Sequence, residues 1–459
     1  MLAPIFERFV KKSPVSVMAR GMMEHVLNPQ QLDQWFEHTA QRQYTQDLLF
    51  SFIFDIMCQV VSGSRRSVHA AYQASKEDIA VSVTSLYNKL NGIEVNTSAE
   101  LVRYAAAAVS PVIEALKGTR RSPVAGYNVK LLDGNCIEAS EHRIKELRSL
   151  SSGALPGKSL VVYDPVLRIP VDVFPCEDGH AQERSLLNSV LPTVNAKDLW
   201  VADRNFCIVE FTCVIDDKGA CLIFRQHGNL PYTALGNEKA AGKIETCKVF
   251  EQPIMVVDNS GKEHQFRRIR VLLKKETRDG DKEIFIITNL PKKAAGAKKI
   301  AEIYRSRWTI ETSFQELTQW FNSEINALGY PPAALFGFCV ALISYMIVSV
   351  IKAALAGSYG AKFVDEHLSG YYLADEISST YRGMMIAIEA EEWVIFRELK
   401  KTELVRLLRK LAKNLKLSAF RKHPRGPKKP VAKRKSDPKT PHVSTAKLIA
   451  SRKRQMYYP

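Results

Sequence analysis

The chain has no Cys-x-x-Cys pair. Its eight cysteines (Cys58, Cys136, Cys176, Cys207, Cys213, Cys221, Cys247 and Cys339) are scattered through 459 residues, mostly among apolar neighbours. That excludes a disulfide-stapled scaffold and points to reduced thiols in a core. No second His or Cys stands at ligand spacing from His180, so zinc is not expected there. No repeat of fixed period is present, which removes solenoids and propellers. Gly and Pro, at 23 and 21, are too few for a collagen-like or wholly disordered chain. Met1 to Arg20 lack a continuous apolar stretch and a small-residue cleavage site, so export is not expected. Uncharged apolar runs are equally scarce. The exception is Ala333 to Ile351, long enough by itself to cross a bilayer. Gly337, Cys339, Ser344, Tyr345 and Ser349 dilute it and it has no companion, so a helix buried on all sides is expected, with no membrane partner.

Acidic residues are nearly missing from one place. From Lys400 to Pro459 there are twenty Lys and Arg against Glu403 and Asp437, whereas the whole chain carries +17. The body is therefore close to neutral and the basic charge is appended. A solvated tail and a phosphate-binding arm are both consistent with this, and the arm is preferred because Lys and Arg on phosphates release counterions.

What is present changes period along the chain. Residues 1–122 read as helical, including an apolar helix from Thr45 to Val61. Within them, Val68 to Ser75 and a segment from Ser82 to Asn91-Gly92 have cap and stop signals of two short helices. A helix-turn-helix reading element and an ordinary helical hairpin fit equally. Residues 123–227 turn β-rich: Tyr127–Ala139, Ser159–Tyr163, Arg168–Phe174, Asp198–Ala202 and Ala220–Arg225 read as strands, with a helix over Gln182–Val190. Residues 228–282 read as a β-rich insertion. Residues 283–395 open with the strand Glu283–Thr288 and then become helical, from Ala295 to about Trp320 and again in the apolar run. Residues 396–459 form an amphipathic basic helix, Glu398–Leu417, and a Pro-rich charged stretch, Arg421 to Pro441, not expected to pack. The pattern is that of an α/β protein with a mixed sheet.

Three carboxylates stand out by context. Asp133 follows the apolar Val129–Leu132 segment, Asp203 ends Leu199–Ala202, and Glu311 lies in a helical stretch. A carboxylate at the end of a buried strand is costly unless paired or bound to a cation. Three together suit hard cations such as Mg²⁺, and two such ions serve in-line phosphoryl transfer. Tyr304, Arg307, Glu311 and Gln315 fall at steps of three and four, hence on one helix face. Arg307 there suits either a salt bridge to Glu311 or a phosphate. Asp178, His180 and Glu183 read as a loop leading into a helix.

These residues resemble a family. Leu132-Asp133-Gly134, Asp203-Arg204-Asn205-Phe206-Cys207 and Tyr304-x2-Arg307-x3-Glu311 are similar to the first-acid, second-acid and Tyr-Arg-Glu-Lys motifs of bacterial insertion-sequence DDE transposases. Pro156-Gly157-Lys158, Val161–Pro165 and Thr288-Asn289-Leu290-Pro291 add to the likeness, which covers roughly Val129 to Leu355. The resemblance implies a ribonuclease-H-like sheet with a β insertion before the Glu, and Asp133, Asp203 and Glu311 holding two Mg²⁺ or Mn²⁺ ions. It implies cutting of transposon ends and joining of their 3′-hydroxyls to target DNA, by a homo-oligomer on paired ends, in the cytoplasm at the nucleoid. Arg204, Arg225, Tyr304, Arg307 and Thr318 are then expected to contact double-stranded DNA. Thr318 is a departure, since the family pattern has Lys there. Some relatives hold a flipped base on a Trp of the insertion, yet no Trp lies between Asp203 and Arg307; Phe250, Phe266 or Phe285 could stack instead, but most of them read as strand core. A nuclease on the same fold and an inactive transposase-derived DNA-binding protein are the alternatives.

Overall fold

The structure is a computed structural model that describes residues 2–423 and 441–457, apart from 44, 46, 245–246 and 278–279. Twelve strands are present among these: β1 (Asn128–Cys136), β2 (Gly153–Leu155), β3 (Lys158–Asp164), β4 (Ile169–Cys176), β5 (Asp198–Ala202), β6 (Cys221–Arg225), β7 (Thr233–Ala234), β8 (Lys239–Ile244), β9 (Cys247–Val257), β10 (Glu263–Leu273), β11 (Glu283–Thr288) and β12 (His442–Ser444). Ten of them make one sheet in the order β4-β3-β1-β5-β6-β11-β10-β9-β7, with β8 also on β9. Within it β1, β5 and β6 run parallel, and the other pairings are antiparallel. The parallel step from β5 to β6 needs a crossover, supplied by the helix Val209–Asp217.

Alternation along the strands splits the core in two. Val129, Leu131, Val161, Tyr163, Leu199, Val201 and Ile223 face one cluster. Leu132, Leu160, Val162, Trp200, Ala202, Leu222 and Phe224 face another, which Phe206 and Phe211 complete. Both faces are therefore covered, as the near-continuous apolar runs require.

The larger cluster is organised by the helix Pro331–Tyr359, whose side chains are buried nearly all round. The helices Val95–Ala115, Phe50–Val61, Pro14–Val26 and Lys401–Lys413 and strand β4 surround it. The apolar run is thus an internal helix, with protein rather than lipid on every side. The N-terminal helices and the strand region share this one core, so nothing in the packing separates them as beads on a linker. The 228–282 stretch likewise continues the central sheet through β11 and β10 rather than folding apart from it.

Several boundaries move for local reasons. The apolar helix starts at Phe50, not Thr45, because the Asp33 carboxylate takes the Ser51 N–H at 2.8 Å. Gln182–Val190 resolves into a 3₁₀ turn, Glu183–Leu186, and a single α turn, Leu187–Val190. The helix expected over Ala295–Trp320 is two, Ala297–Ser306 and Trp308–Trp320. At the junction the Arg307 N–H reverts to an i−3 bond with the Tyr304 carbonyl, 3.0 Å. Of the stretch 421–441, expected not to pack, residues 424–440 lie outside the described residues. Immediately beyond, β12 pairs with β2. The following helix Thr445–Tyr457 lays Leu448 and Ile449 on Ile144, Leu147 and Ala154. The start of the helix Thr445–Tyr457 is therefore docked.

Two glycines mark where the central helix meets Val95–Ala115 and where a later helix is left open. A Cβ on Gly357 would lie 2.3 Å from the Leu116 carbonyl oxygen. Gly357→Ala should therefore lower stability by about 1–3 kcal/mol, through overpacking against backbone that cannot give way. Gly383→Ala, in the helix Gly370–Ala387 with nothing near its Cβ, should be neutral or stabilising by about 0.4–1 kcal/mol. Denaturant unfolding of both variants checks this, and equal effects would contradict the packing described.

Candidate active site

The register of the sheet does most of the positioning. Leu132 of β1 is opposite Ala202 of the parallel strand β5, so Asp133 and Asp203 are the next residues of neighbouring strands. Strands in a sheet run about 4.8 Å apart, so the two carboxylates emerge side by side. Asp203 stands at the head of the 3₁₀ turn Arg204–Phe206, and its carboxylate takes the Asn205 N–H at 2.6 Å. Asp133 Oδ1 accepts the Gly134 N–H at 3.0 Å.

Glu311 arrives from the far side of the chain, in the first turn of the helix Trp308–Trp320. Arg307, only 8% exposed, ties it in. Its Nη1 donates to Asp133 Oδ2 at 3.0 Å and its Nη2 to Glu311 Oε1 at 2.5 Å. One guanidinium therefore spans two of the three acids, a bidentate use that lysine cannot copy.

Electrostatics confirm the crowding. Burial pushes the Asp133 carboxyl up to about 7, opposed by Arg307 and the Gly134 N–H and assisted by the charges of Asp203 and Glu311. All three acids thus act on one spot. Tyr304, buried, has its phenol raised by burial, while Arg307 and Arg225 pull it down and Asp203 pushes it up, so it lies among them. The donor set at this spot is all carboxylate, which suits a hard divalent cation. The Asp133 carboxyl is raised chiefly because it is buried, and the neighbouring acids add to this. The chemistry of the donor set fits such an ion, which Asp133, Asp203 and Glu311 would hold.

The other expected residues are distributed unevenly. Arg204 is exposed next to Asp203. Arg225 is already engaged, with Nη2 on Asp281 Oδ2 at 2.8 Å. Thr318 is exposed on the Glu311 helix, seven residues on, but its hydroxyl donates back to the Phe314 and Gln315 carbonyls. His180 is an exposed loop residue. Glu183 is nearer the acids: its Oε1 lies 2.0 Å from where a Cβ on Gly134 would stand, so a larger residue there would push its side chain aside. The Asn205 amide also reaches it, at 3.4 Å.

The phenylalanines read mostly as strand core do not offer free faces for stacking. Phe266 is buried, Arg270 lies over the Phe250 ring at 4.3 Å, and Arg268 over Phe285 at 3.9 Å. The aromatic surface that sequence reasoning passed over is Trp308, 50% exposed and adjacent to Arg307. It stands one residue past the interval in which a tryptophan was sought, and its place at the acid-bearing helix was the available signal.

A mixed sheet with two carboxylates on adjacent parallel strand ends, and a third brought in by a later helix, defines a domain built around an acidic triad. Residues 126–347 match the family model described as Transposase DDE domain, a little under half of the chain. No curated protein shows a significant match to the chain.

The pKa of Asp133 yields a test. Its folded value is about 7, against about 4 in an unfolded chain. Between those values the folded state holds the proton more tightly, so stability falls as pH rises from about 4 through about 7. Without divalent ions, Asp133→Asn should melt above the parent at pH 8, by about 2 °C or more. The gap should close towards pH 4, where both states are protonated. Added Mg²⁺ should raise the parent's melting temperature at pH 8 and not that of the variant. Parallel melting curves at all pH values would show that the carboxyl bears no such burden.

Proposed function

We propose that this chain is a DNA transposase that cuts transposon ends and joins their 3′-hydroxyls to target DNA, with Asp133, Asp203 and Glu311 as its metal-binding acids. The observation that carries the reading is the convergence of Asp133 and Asp203 by strand register, with Glu311 drawn in through Arg307. The mixed sheet with parallel β1, β5 and β6 supports a ribonuclease-H-like core, extended by the strands before Glu311. The Tyr-Arg-Glu spacing in the doubled helix supports the Tyr-Arg-Glu-Lys group, with Thr318 in the Lys position.

Bound Mg²⁺ or Mn²⁺, two ions per site, supplies an activated oxygen nucleophile and charge stabilisation at the transferring phosphoryl group. The chain's own residues set its geometry. Asp203 is oriented by the Asn205 N–H, and Asp133 and Glu311 are held apart by the planar Arg307 fork. Arg307, whose two Nη atoms bond Asp133 and Glu311, would exchange one of these bonds for a phosphate, with Tyr304 beside it, and the exposed Arg204 would reach the backbone. Arg225 contributes chiefly by fixing Asp281, and Thr318 brings a hydroxyl without charge. Trp308 gives an exposed ring for stacking next to the reacting strand.

Two surfaces suit double-stranded DNA. In the N-terminal region Val68–Ala74 and Val83–Asn91 form two short helices capped by Ser67 and Ser82, and the second exposes Thr84, Ser85 and Asn88, small polar groups able to meet base edges. On the helix Lys401–Lys413, Lys401, Arg406, Arg409, Lys410 and Lys413 line a cleft of ≈ 600 Å³, where phosphates can settle without sequence preference. The protein acts in the cytoplasm on nucleoid DNA, as a homo-oligomer on paired ends.

A strand-transfer assay with precut ends and Mg²⁺ or Mn²⁺ tests the reading. Asp203→Asn should abolish nicking and joining while end binding persists, because an amide keeps the shape and loses the charge. Arg307→Ala should lower strand transfer by about tenfold or more, with Arg307→Lys rescuing little because it lacks the fork. Cleavage without joining would favour a nuclease, and end binding with neither would favour an inactive descendant. Wild-type strand transfer by Arg307→Ala would remove the role given to that residue.

Asn88→Ala should relax discrimination between end and unrelated sequence by about 1–3 kcal/mol without changing the salt slope. Neutralising Arg406 and Lys410 together should do the reverse. It should flatten the salt dependence by about 0.9 in log–log slope for each phosphate left without its cation, with sequence preference intact. Competition binding at two salt concentrations separates these outcomes.

A further inference from the structure

A second group of metal-type side chains lies away from the triad. The helix Val209–Asp217 leaves the Asp203 end of β5 and returns, so Asp216 and Asp217 lie at the opposite end of the parallel strands. The Asn289 amide confirms the placement by donating both to Asp216 Oδ1 and to the Ala220 carbonyl, each at 2.8 Å, just before β6. The turn between β9 and β10 comes down onto this spot. It brings Asp258 and, at the start of β10, His264.

His264 is 2% exposed, and its two nitrogens are in different circumstances. Nδ1 lies 2.8 Å from Asp216 Oδ2. A carboxylate only accepts, so Nδ1 carries the proton. Nε2 is buried and has no hydrogen-bond partner. It faces Asp258 Oδ2 at 3.6 Å, too far for a hydrogen bond. Asp258 does not turn away because its other oxygen is fixed, accepting the Ser260 N–H, the Ser260 hydroxyl and the Lys262 N–H. Those three bonds fix the orientation of the carboxylate, leaving Oδ2 towards the imidazole.

The separation is informative. Two ligands at 2.0–2.2 Å from one tetrahedral ion stand about 3.4 Å apart, whereas direct hydrogen-bond partners close to about 2.8 Å. The 3.6 Å between His264 Nε2 and Asp258 Oδ2 is the spacing of co-ligands. Asp217 supplies a third group: one ligand atom from each of Asp217, Asp258 and His264 lies within 4.8 Å of the other two. Asp217 Oδ1 is paired with Lys262 Nζ at 2.5 Å and lies 4.0 Å from His264 Nδ1, so its second oxygen is the one left for a cation. The approach of Nδ1 to Asp216 then has the form of the outer carboxylate that orients a metal-bound imidazole.

We propose that His264, Asp258 and Asp217 form a second divalent-cation site, suited to zinc through one imidazole and two carboxylates, that staples the β9–β10 hairpin to the end of the helix Val209–Asp217. The site is structural. It holds the strands that precede the Glu311 helix in register with the β5–β6 core, and it stands independently of the activity proposed for the triad.

The test uses the full chain with the triad removed (Asp133→Asn, Asp203→Asn, Glu311→Gln), so that zinc at that site does not count. After chelation and equilibrium dialysis against zinc chloride, elemental analysis should find one more zinc per chain than in the same protein carrying Asp258→Asn. Asp217→Asn should weaken retention, as should Asp216→Asn, by about tenfold or more. These partly exposed positions avoid the risk that His264→Gln fails to fold. Zinc should raise the melting temperature of the triad-free chain and not of its Asp258→Asn derivative. Equal zinc content in the two proteins overturns the proposal. So does a zinc-independent imidazolium, seen as both His264 nitrogens protonated at pH 7 in nitrogen-15 spectra with zinc present.

Discussion

Arg307 is buried with a carboxylate on each arm, one from β1 and one from the helix Trp308–Trp320. A lone guanidinium in that position would be costly, and so would either acid. Together they join two elements that are 174 residues apart along the chain. The break at Arg307 is part of this arrangement. The residue leaves the regular helical ladder where its side chain turns towards Asp133, and Glu311 then opens the following helix on the same side.

What makes the bridge possible is a sheet covered on both faces. The triad lies at an edge of the larger cluster, where strand ends leave the apolar interior and polar side chains regain partners. Its three acids are unequal in consequence. Asp133 is deep enough for burial to raise its carboxyl to about 7, whereas the Glu311 side chain is 43% exposed.

The sheet also explains how a β-rich stretch between Asp203 and Glu311 leaves the acids together. The β9–β10 hairpin and β11 add to β6 edge by edge, so the insertion lengthens an existing layer. Its apolar residues then divide between the two clusters already formed by β1, β3 and β5. The central helix, packed against the N-terminal helices and the basic C-terminal helix, ties the regions on either side of the triad to one core.

Sequence by itself determined the strands β1, β3, β4, β5, β6 and β11, because apolar runs bounded by turn residues depend on local periodicity. It also singled out Asp133 and Asp203, since a charged residue ending a buried strand conflicts with its surroundings visibly, whereas Glu311 was marked by the resemblance of its Tyr304-x2-Arg307-x3-Glu311 helix to the family motif. The burial of the run around Ala333–Ile351 was legible from its diluting Gly, Ser and Tyr residues. Other features depended on partners far along the chain. That Arg307 spans two acids, that Arg225 is taken by Asp281, and that Arg268 and Arg270 cover Phe285 and Phe250 follow from strand pairing, which periodicity does not specify. The placement of Glu183 against Gly134 and the gathering of Asp216, Asp217, Asp258 and His264 are of the same kind. Each brings together side chains whose neighbours in sequence are ordinary loop or helix residues, and they meet only because the sheet has put two distant turns in the same place.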